Sequence, residues 1–173
     1  LRLLSEDGWL KATSVHLPFE AYVGDEVAIS HIRAHVMAPH HVAEQGSARR
    51  VLESGEALLV PHLDVAQLRA TATPQIAHAY ETIGIHSLLL VALRVRGESI
   101  GLLALVRFAP GSRPFDDQDR QLAQTLADQA ALAISNARLL QSALREVADR
   151  ERTEATLRKT EEQLRHAQKM EAV

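Results

Sequence analysis

The chain of 173 residues contains no cysteine and few aromatic residues: one Trp, two Tyr and three Phe. The absence of cysteine excludes disulfide bonds, a thiolate zinc site, a catalytic thiol and a thioether-linked cofactor. No apolar run approaches the roughly 20 residues that a transmembrane helix requires. A net charge of −3 provides no basic field for nucleic acid or an anionic membrane. The sequence opens with neither Met nor a signal peptide, so we expect an excerpt of a longer cytoplasmic polypeptide.

The composition that remains is that of a globular protein, with 46% hydrophobic and 24% charged residues. The length suits one compact domain with an appendage. Near the N-terminus, Asp7-Gly8 separates two apolar stretches. This pair predicts a tight hairpin with strands near residues 1–5 and 9–15, because both residue types tolerate positive φ. A helix is predicted to follow a cap at Asp25.

The middle of the chain is rich in predicted strands. A short helix from Ser47 ends at Gly55 and precedes a buried strand over Ala57–Val60. Residues 64–80 contain a proline break and indicate a long loop or short helices. The strongest strand pattern is SLLLVALRVRGESIGLLALVRF, in which two apolar runs flank the polar turn 96–98. We therefore predict an antiparallel hairpin inside a sheet.

The C-terminal segment from Asp117 to Val173 contains neither Gly nor Pro and predicts one long helix. A continuous helix of this length would extend roughly 85 Å. Asp116 is placed to cap it, and Asp119 lies in the acidic first turn that the helix dipole favours. Seven acidic and seven basic residues in 141–173 leave only a sparse line of apolar side chains in the second half of this helix.

That apolar line has near-heptad spacing, with Glu154 and Glu161 at positions that would face a partner helix. A lone helix of this polarity gains little from burial, so we predict a parallel two-helix coil, and hence a homodimer, with a weak seam. A solvated, charged helical tail is the alternative. The predicted seam residues are Leu140, Leu144, Val147, Leu157 and Leu164.

Three segments resemble the GAF domain family in order and spacing: RRVLESGEALLVPHLD, IGIHSLLLVALRVRGESIGLLALVR and RPFDDQDRQLAQTLADQAALAISNARLL. The resemblance is strongest over 47–140 and departs from the family at Ala92, where Pro is common. It implies an α+β fold, a central antiparallel sheet flanked by helices, with a GAF sensor domain over residues 1–140 whose customary first helix is missing. The matching positions are Gly55, Gly84, Ser87, Gly97, Gly101, Phe115, Asp119, Ala131, Ile134, Asn136, Ala137, Arg138 and Leu139.

The GAF resemblance also implies a ligand pocket roofed by the middle loops. The absence of Cys disfavours a covalent bilin, whereas haem and a cyclic nucleotide are weak alternatives and the ligand stays unidentified. His31 and His35 share a helix face at i, i+4 spacing and are weak metal candidates, although we expect no metal site. The candidate ligand contacts are polar side chains at strand ends and in the roof loop: His62, His78, Tyr80, His86 and Ser87.

The last residues, ATLRKTEEQLRHAQKMEAV, resemble the linker of sensor histidine kinases, which leads into the dimerisation helix. In that family the phospho-accepting His lies beyond the equivalent of Val173. His166 is therefore predicted to be a solvated linker residue and not a phosphorylation site. Residues 141–173 are predicted to form a signalling-helix linker that leads to a kinase dimerisation domain absent from this sequence.

These observations predict the signal-sensing domain of a two-component sensor histidine kinase, which passes ligand or partner binding to the kinase core through the paired helix. We expect no catalytic activity in this chain, because it lacks both a phospho-acceptor box and an ATP site. A response regulator would be contacted only through the absent, ATP-dependent kinase part. The alternatives are a GAF input module of a diguanylate cyclase or transcription activator, and a GAF dimerisation platform without a ligand.

Overall fold

The computed structural model describes residues 1–16, 25–44, 46–64, 66, 69, 74–108 and 112–171. Residues 65, 67–68 and 70–73 of the segment predicted as a long loop or short helices, and the last two residues of the predicted C-terminal helix, lie outside this set. The chain forms two units, Leu1–Leu132 and Ala133–Val173. The elements are β1 (Arg2–Leu4), β2 (Trp9–Ala12), α1 (Glu26–Met37), β3 (His40–His41), a 3-10 turn (Val42–Glu44), α2 (Gly46–Ser54), β4 (Leu58–Val60), α3 (Pro74–Ile83), β5 (Ile85–Val95), β6 (Glu98–Phe108) and α4 (Asp117–Glu171).

The six strands form one sheet in the order β3-β2-β1-β6-β5-β4. Every neighbouring pair is antiparallel. β5 and β6 form the predicted central hairpin, and neither of them lies at a sheet edge. The structure thus confirms the α+β prediction of an antiparallel sheet flanked by helices, with a long C-terminal helix.

The tight two-residue turn of this sheet lies between β5 and β6. Val95 pairs with Glu98, and the two turn residues Arg96 and Gly97 have positive φ values of 53° and 90°. This is the geometry that matches the twist of the flanking strands.

The tight turn predicted at Asp7-Gly8 is instead a four-residue loop that runs from Ser5 to Gly8. The N–H of Ser5 donates to the carbonyl oxygen of Trp9, and the Ser5 hydroxyl donates to the Asp7 carboxylate. Gly8 alone in this loop has a positive φ, 83°. The wider loop starts from Ser5, so β1 ends earlier than predicted, whereas β2 begins at Trp9 as predicted but ends at Ala12.

Two helix ends agree with the sequence prediction. The Asp25 carboxylate caps α1 by accepting hydrogen bonds from the N–H groups of Val27 and Ala28, at 3.0 and 2.9 Å. Helix α2 ends at Ser54, and Gly55 follows with a φ of 72°.

One prediction for the middle of the chain was wrong. β4 is a half-buried edge strand over Leu58–Val60, not a buried strand over Ala57–Val60, because among the described strands only β5 pairs with it. Of the two structures predicted for residues 64–80, a long loop or short helices, the described part contains a short helix, α3 (Pro74–Ile83), which begins at the predicted break. Proline suits the first turn of a helix because its missing N–H would have no intrahelical acceptor there.

Different helices cover the two faces of the sheet. On one face, α2 packs against β5, β6 and β2, and α1 and α3 pack around Ile83 and Ile85 further along. Because side chains alternate along β5, another row points to the opposite face, where all of it is fully buried. That row is Ser87, Leu89, Val91 and Leu93.

The start of α4 lies on this opposite face. The Asp116 carboxylate accepts from the N–H groups of Gln118 and Asp119, and the Asp119 carboxylate accepts from the N–H of Asp116. These reciprocal bonds confirm the predicted cap. The N–H of Phe115 donates to Ser87 Oγ at 3.0 Å, which ties the segment before the helix to β5. Within the first unit, α4 buries a stripe of small side chains, Ala123, Ala127 and Ala131.

The second unit consists of the part of α4 that runs from Ala133 to Glu171. The five predicted seam residues are between 55% and 63% exposed, and His166 is exposed as predicted. Parallel pairing stays a prediction, as does the domain boundary at 140/141. None of the helices in the described part of the chain combines the length and the hydropathy that crossing a membrane requires.

Candidate functional site: a cluster around Arg2

Arg2 of β1 points toward the sheet face that α1, α2 and α3 cover. Leu4 lies two residues further along the strand, on the same face, and packs against the α2 core. The Arg2 side chain is half-buried and reaches the C-terminal end of α1. Its N–H groups donate to four carbonyl oxygens: Val36 at 2.6 Å, Ala38 at 2.8 Å, and Leu10 and His35 at 3.3 Å each.

Three of these four acceptors belong to the end of α1. The last carbonyl groups of a helix have no N–H partner within the helix and carry the negative end of its dipole. A guanidinium with its fork of N–H donors suits such a group of oxygens. Arg2 therefore closes the C-terminal end of α1 and joins it to the first strand.

His35, His40 and Tyr80 lie next to this guanidinium, and together with Arg2 they form what we term the Arg2 cluster. His40 Nε2 donates to the carbonyl oxygen of His35 at 2.8 Å. The centroids of the two imidazole rings are 4.7 Å apart. The ring of Tyr80 meets that of His35 edge-on at 6.3 Å. Four elements, β1, α1, β3 and α3, thus meet at one polar point.

The pKa values of two residues in the Arg2 cluster, His35 and Tyr80, are shifted. Burial lowers the pKa of His35, and the charges of His40 and Arg2 lower it further. Burial also raises the pKa of Tyr80, and the Arg2 charge opposes that rise. In the described part of the chain, the recorded acceptors of Arg2 are all backbone carbonyls, with no carboxylate among them. At neutral pH the Arg2 cation therefore lies beside a neutral His35 and a neutral phenol.

The sequence-predicted ligand contacts are spread over several places. Tyr80 lies in the Arg2 cluster. His86 Nε2 is 2.7 Å from Ser112 Oγ, a hydroxyl that itself donates to the carbonyl of Phe108. His62 and His78 are exposed, and His78 borders a surface cleft next to α3. The recorded contacts in the described residues join none of these three histidines to Tyr80, and their role in ligand contact stays a prediction.

Ser87 occupies a fully buried position on the opposite face of the sheet. Its hydroxyl donates to the carbonyl oxygen of Val60 at 3.0 Å and accepts from the N–H of Phe115 at 3.0 Å. These two bonds join β5 to the end of β4 and to the start of α4. The geometry gives Ser87 a structural task, and its predicted ligand contact has no support from these bonds.

The weak metal candidates His31 and His35 are separated by one turn of α1. His35 belongs to the Arg2 cluster, and the side chains of both histidines are half-buried. Among the described residues, no group of three His, Cys, Asp or Glu side chains is arranged to hold a metal ion.

From the sequence, neither Arg2 nor His40 was selected as a candidate site residue. One signal was available for Arg2, because it lies in phase with the inward-facing Leu4 of the same strand. A charged residue at an inward strand position needs buried partners. Those partners are backbone carbonyls from a distant helix, and no side-chain motif encodes them.

Two surface clefts have linings that include no residue of the Arg2 cluster. One lies on α2 and is lined by Gly46, Arg49, Arg50, Glu53 and Ser54. The other is lined by Arg69, Pro74, Ala77, His78 and Glu81, where Arg69 and Glu81 form an ion pair at 2.7 Å. Small-molecule sites are mostly apolar and enclosed, so the charged, open lining of both clefts does not fit that type.

Comparison with known proteins places the chain in a family. The GAF domain model matches residues 6–134. Among solved structures, a GAF domain/HD domain protein from Geobacter sulfurreducens is 19% identical with a TM-score of 0.59 over 80% of this chain and 79% of that one. A domain assigned to a two-component sensor histidine kinase of Sinorhizobium meliloti 1021 is 19% identical with a TM-score of 0.53, covering 82% and 80% of the two chains.

A methyl-accepting chemotaxis protein, residues 122 to 287, is also similar, with 17% identity, a TM-score of 0.50 and coverage of 80% and 77%. At identities of 17–19%, the similarity to these structures shows a shared fold and nothing further. No curated protein matches the sequence significantly. Since the family model spans most of the sheet and the start of α4, the chain belongs to the GAF domain family.

Proposed function

We propose that this GAF domain is the sensory input module of a two-component sensor histidine kinase. In this proposal, two copies of the chain pair in parallel through α4 beyond residue 132. A change on the sheet face that carries the Arg2 cluster alters the packing of this helix pair, and the pair passes the change to a kinase core that follows Val173.

The observation that carries the proposal is the exposed apolar line on the second unit. Leu140, Leu157 and Leu164 are 63%, 59% and 60% exposed. Isolated helices are marginal in water, and most helical stability in proteins comes from burying one face. A second copy of the same helix offers a matching apolar line. Glu154 and Glu161 interrupt the line and leave the pairing weak enough to have alternative packings.

The kinase assignment is supported by the amino-acid sequence of the last residues. The segment QKMEAV resembles the sequence motif that precedes the dimerisation helix in sensor histidine kinases. The Sinorhizobium meliloti domain shares the fold and is assigned to such a kinase. The chemotaxis protein shows that related folds also occur in other signalling proteins.

Cysteine cross-linking tests the helix pair, since the chain contains no other cysteine. We expect Val147→Cys and Leu157→Cys each to form a disulfide-linked dimer on mild oxidation. Arg152→Cys and Lys159→Cys, which would lie on the outer side of the same coil, serve as matched controls and should cross-link weakly. Equal cross-linking at all four positions, or none at the first two, would contradict the parallel pair.

Autophosphorylation of the parent polypeptide with ATP tests the kinase assignment. We expect incorporation on a histidine beyond Val173. Replacing both Glu154 and Glu161 with Leu should hold the helix pair in one packing and remove the response of autophosphorylation to the signal. A double variant that keeps a normal signal response would show that the weak seam has no role in transmission. A parent without such a histidine would instead point to a cyclase or a transcription activator.

A GAF dimerisation platform without a small-molecule ligand is the second candidate. The observation in its favour is that protein side chains, the Arg2 cluster, occupy the meeting point of β1, α1, β3 and α3. Mass spectrometry of the protein purified under native conditions separates the two. A bound small molecule supports a ligand-operated sensor, and its absence together with intact dimerisation supports the platform.

A further inference from the structure

We propose that the Arg2 cluster is a proton-operated latch, in which a proton taken up by His35 releases the C-terminal end of α1 from the first strand. The proton is then the signal that this face of the domain receives. The passage of that signal to a kinase rests on the proposed function, but the latch itself is a property of this chain.

The closed latch depends on the Arg2 guanidinium. Its shortest bonds, 2.6 Å to Val36 and 2.8 Å to Ala38, connect β1 with the last carbonyls of α1. The Ala38 N–H is meanwhile bonded to the Ala34 carbonyl at 2.9 Å, so the helix end is regular in this state. Loss of the Arg2 bonds would leave the helix end with unsatisfied carbonyls and favour its solvation.

His35 is the group that opposes the closed latch when it is charged. The groups that face it are Arg2 from β1, His40 from β3 and Tyr80 from α3. Arg2 is a cation, the charges of Arg2 and His40 both lower the pKa of His35, and the phenol is neutral. No carboxylate contact of His35 is recorded in the described part of the chain. A proton on His35 therefore places a second cation beside Arg2, with no carboxylate partner recorded for either group among the described residues.

The direction of the pH effect follows from linkage. Burial, together with His40 and Arg2, holds the pKa of His35 below its usual value of 6.5 in the closed state. An open state that exposes the imidazole to water restores the ordinary pKa. As the pH falls through 6.5 toward the lowered pKa, the open state binds more protons than the closed state. The closed state is thus fully favoured above about pH 6.5 and loses free energy below it.

Hydrogen exchange of the amides at the end of α1 measures the latch directly. Between pH 7.5 and 5.5, after correction for the intrinsic exchange rate, we expect protection of the amides in residues 36–38 to fall in the unmodified chain, by up to about tenfold, which is the limit for one proton taken up one unit below the ordinary pKa. His35→Phe keeps an aromatic ring against Tyr80 but cannot take up a proton, and it should remove this dependence. His31→Phe, one turn earlier on the same helix, is the matched control and should keep it.

Two results would overturn the latch. One is constant protection of residues 36–38 across this pH range in the unmodified chain. The other is a pH response in His35→Phe equal to that of the His31→Phe control. Arg2→Met keeps much of the aliphatic length and should show low protection at both pH values, without a further fall on acidification.

A titration of the imidazole signals by NMR keeps the proposal testable even where a variant folds poorly, since it uses the unmodified chain. We expect His35 to titrate below the ordinary value of 6.5. Titration at or above that value would refute the latch. Neither measurement involves the second unit, so failure of the latch would leave the cross-linking and autophosphorylation tests of the proposed function unaffected.

Discussion

The two stretches of α4 on either side of residue 132 are built from similar helix-forming residues, but only the first has a buried stripe. In the first stretch the buried stripe consists of Ala123, Ala127 and Ala131, which are 2%, 0% and 0% exposed. In the second stretch larger apolar side chains such as Leu157 are mostly exposed. The first stretch gains stability from its own domain. Leucines are exposed in both stretches, since Leu122, Leu126 and Leu132 of the first are 61%, 52% and 57% exposed. The second stretch, however, has no buried residue over 133–170, which is the physical basis for expecting a partner.

The largest effect should come from removing the same number of carbon atoms from a core leucine and from an exposed one. Leu89→Ala empties a fully buried position in the row of β5 that points to the α4 face. We expect it to lower the free energy of unfolding by about 2–5 kcal/mol. Leu157→Ala should leave this free energy within about 0.5 kcal/mol, because the side chain is exposed in the single chain.

Urea unfolding followed by the fluorescence of Trp9, the single tryptophan, measures both variants in the first unit. Leu157→Ala should instead weaken self-association in sedimentation experiments. Similar losses of unfolding free energy for the two variants would break the distinction between the stretches.

A smaller loss is expected when a side chain is enlarged in the buried stripe. Ala127 is fully buried, so Ala127→Leu should force neighbouring side chains out of their preferred rotamers and cost about 1–3 kcal/mol. The matched control Ala155→Leu adds the same atoms to an exposed position of the second stretch. It should change the free energy by less than about 0.5 kcal/mol. Tolerance of leucine at position 127 would show that the first stretch is loosely packed.

Sequence patterns predicted the fold where one local signal settles the structure. The apolar runs of β5 and β6 and the caps at Asp25 and Asp116 are of this kind. The errors arose where the local sequence fits more than one structure. Asp7-Gly8 fits both a two-residue turn and the observed wider loop, in which the Ser5 hydroxyl donates to the Asp7 carboxylate. The apolar residues of β4 fit both a buried strand and the observed half-buried edge strand.

The candidate site was harder to predict than the fold. Tyr80 was identified from its place near the expected pocket, and His35 from its spacing to His31. Arg2 was not, because its partners are carbonyl oxygens of α1, which come close only after the sheet and the helix have formed. Every residue has a carbonyl group, so the side chains in the sequence do not indicate which carbonyl oxygens Arg2 will contact.

The cap of α4 offers a third way to separate the two stretches. Asp116→Ala removes the acceptor of two N–H groups and should cost about 1 kcal/mol, within a range of about 0.5–2 kcal/mol. Asp117→Ala, at the next position, is the control, since its carboxylate only pairs with Arg120 on the exposed surface. Hydrogen exchange of residues 118 and 119 should increase in Asp116→Ala, while that of residues 140–160 should stay unchanged. An increase along the whole helix would mean that the second stretch depends on the cap as well.

The smallest effect concerns ion pairs, which involve residues of both stretches but differ in how exposed the paired side chains are. Asp119 and Arg107 are 15% and 27% exposed where they pair in the first stretch, whereas Asp149 and Arg152 are 73% and 81% exposed in the second. Arg152→Ala should therefore change the free energy of unfolding by less than about 0.5 kcal/mol, because water screens the pair. Circular dichroism at several salt concentrations checks this, and the variant should follow the unmodified chain at each. A marked loss of helix at low salt alone would show that this exposed pair does support the second stretch, and that the contrast between the two stretches concerns apolar burial only.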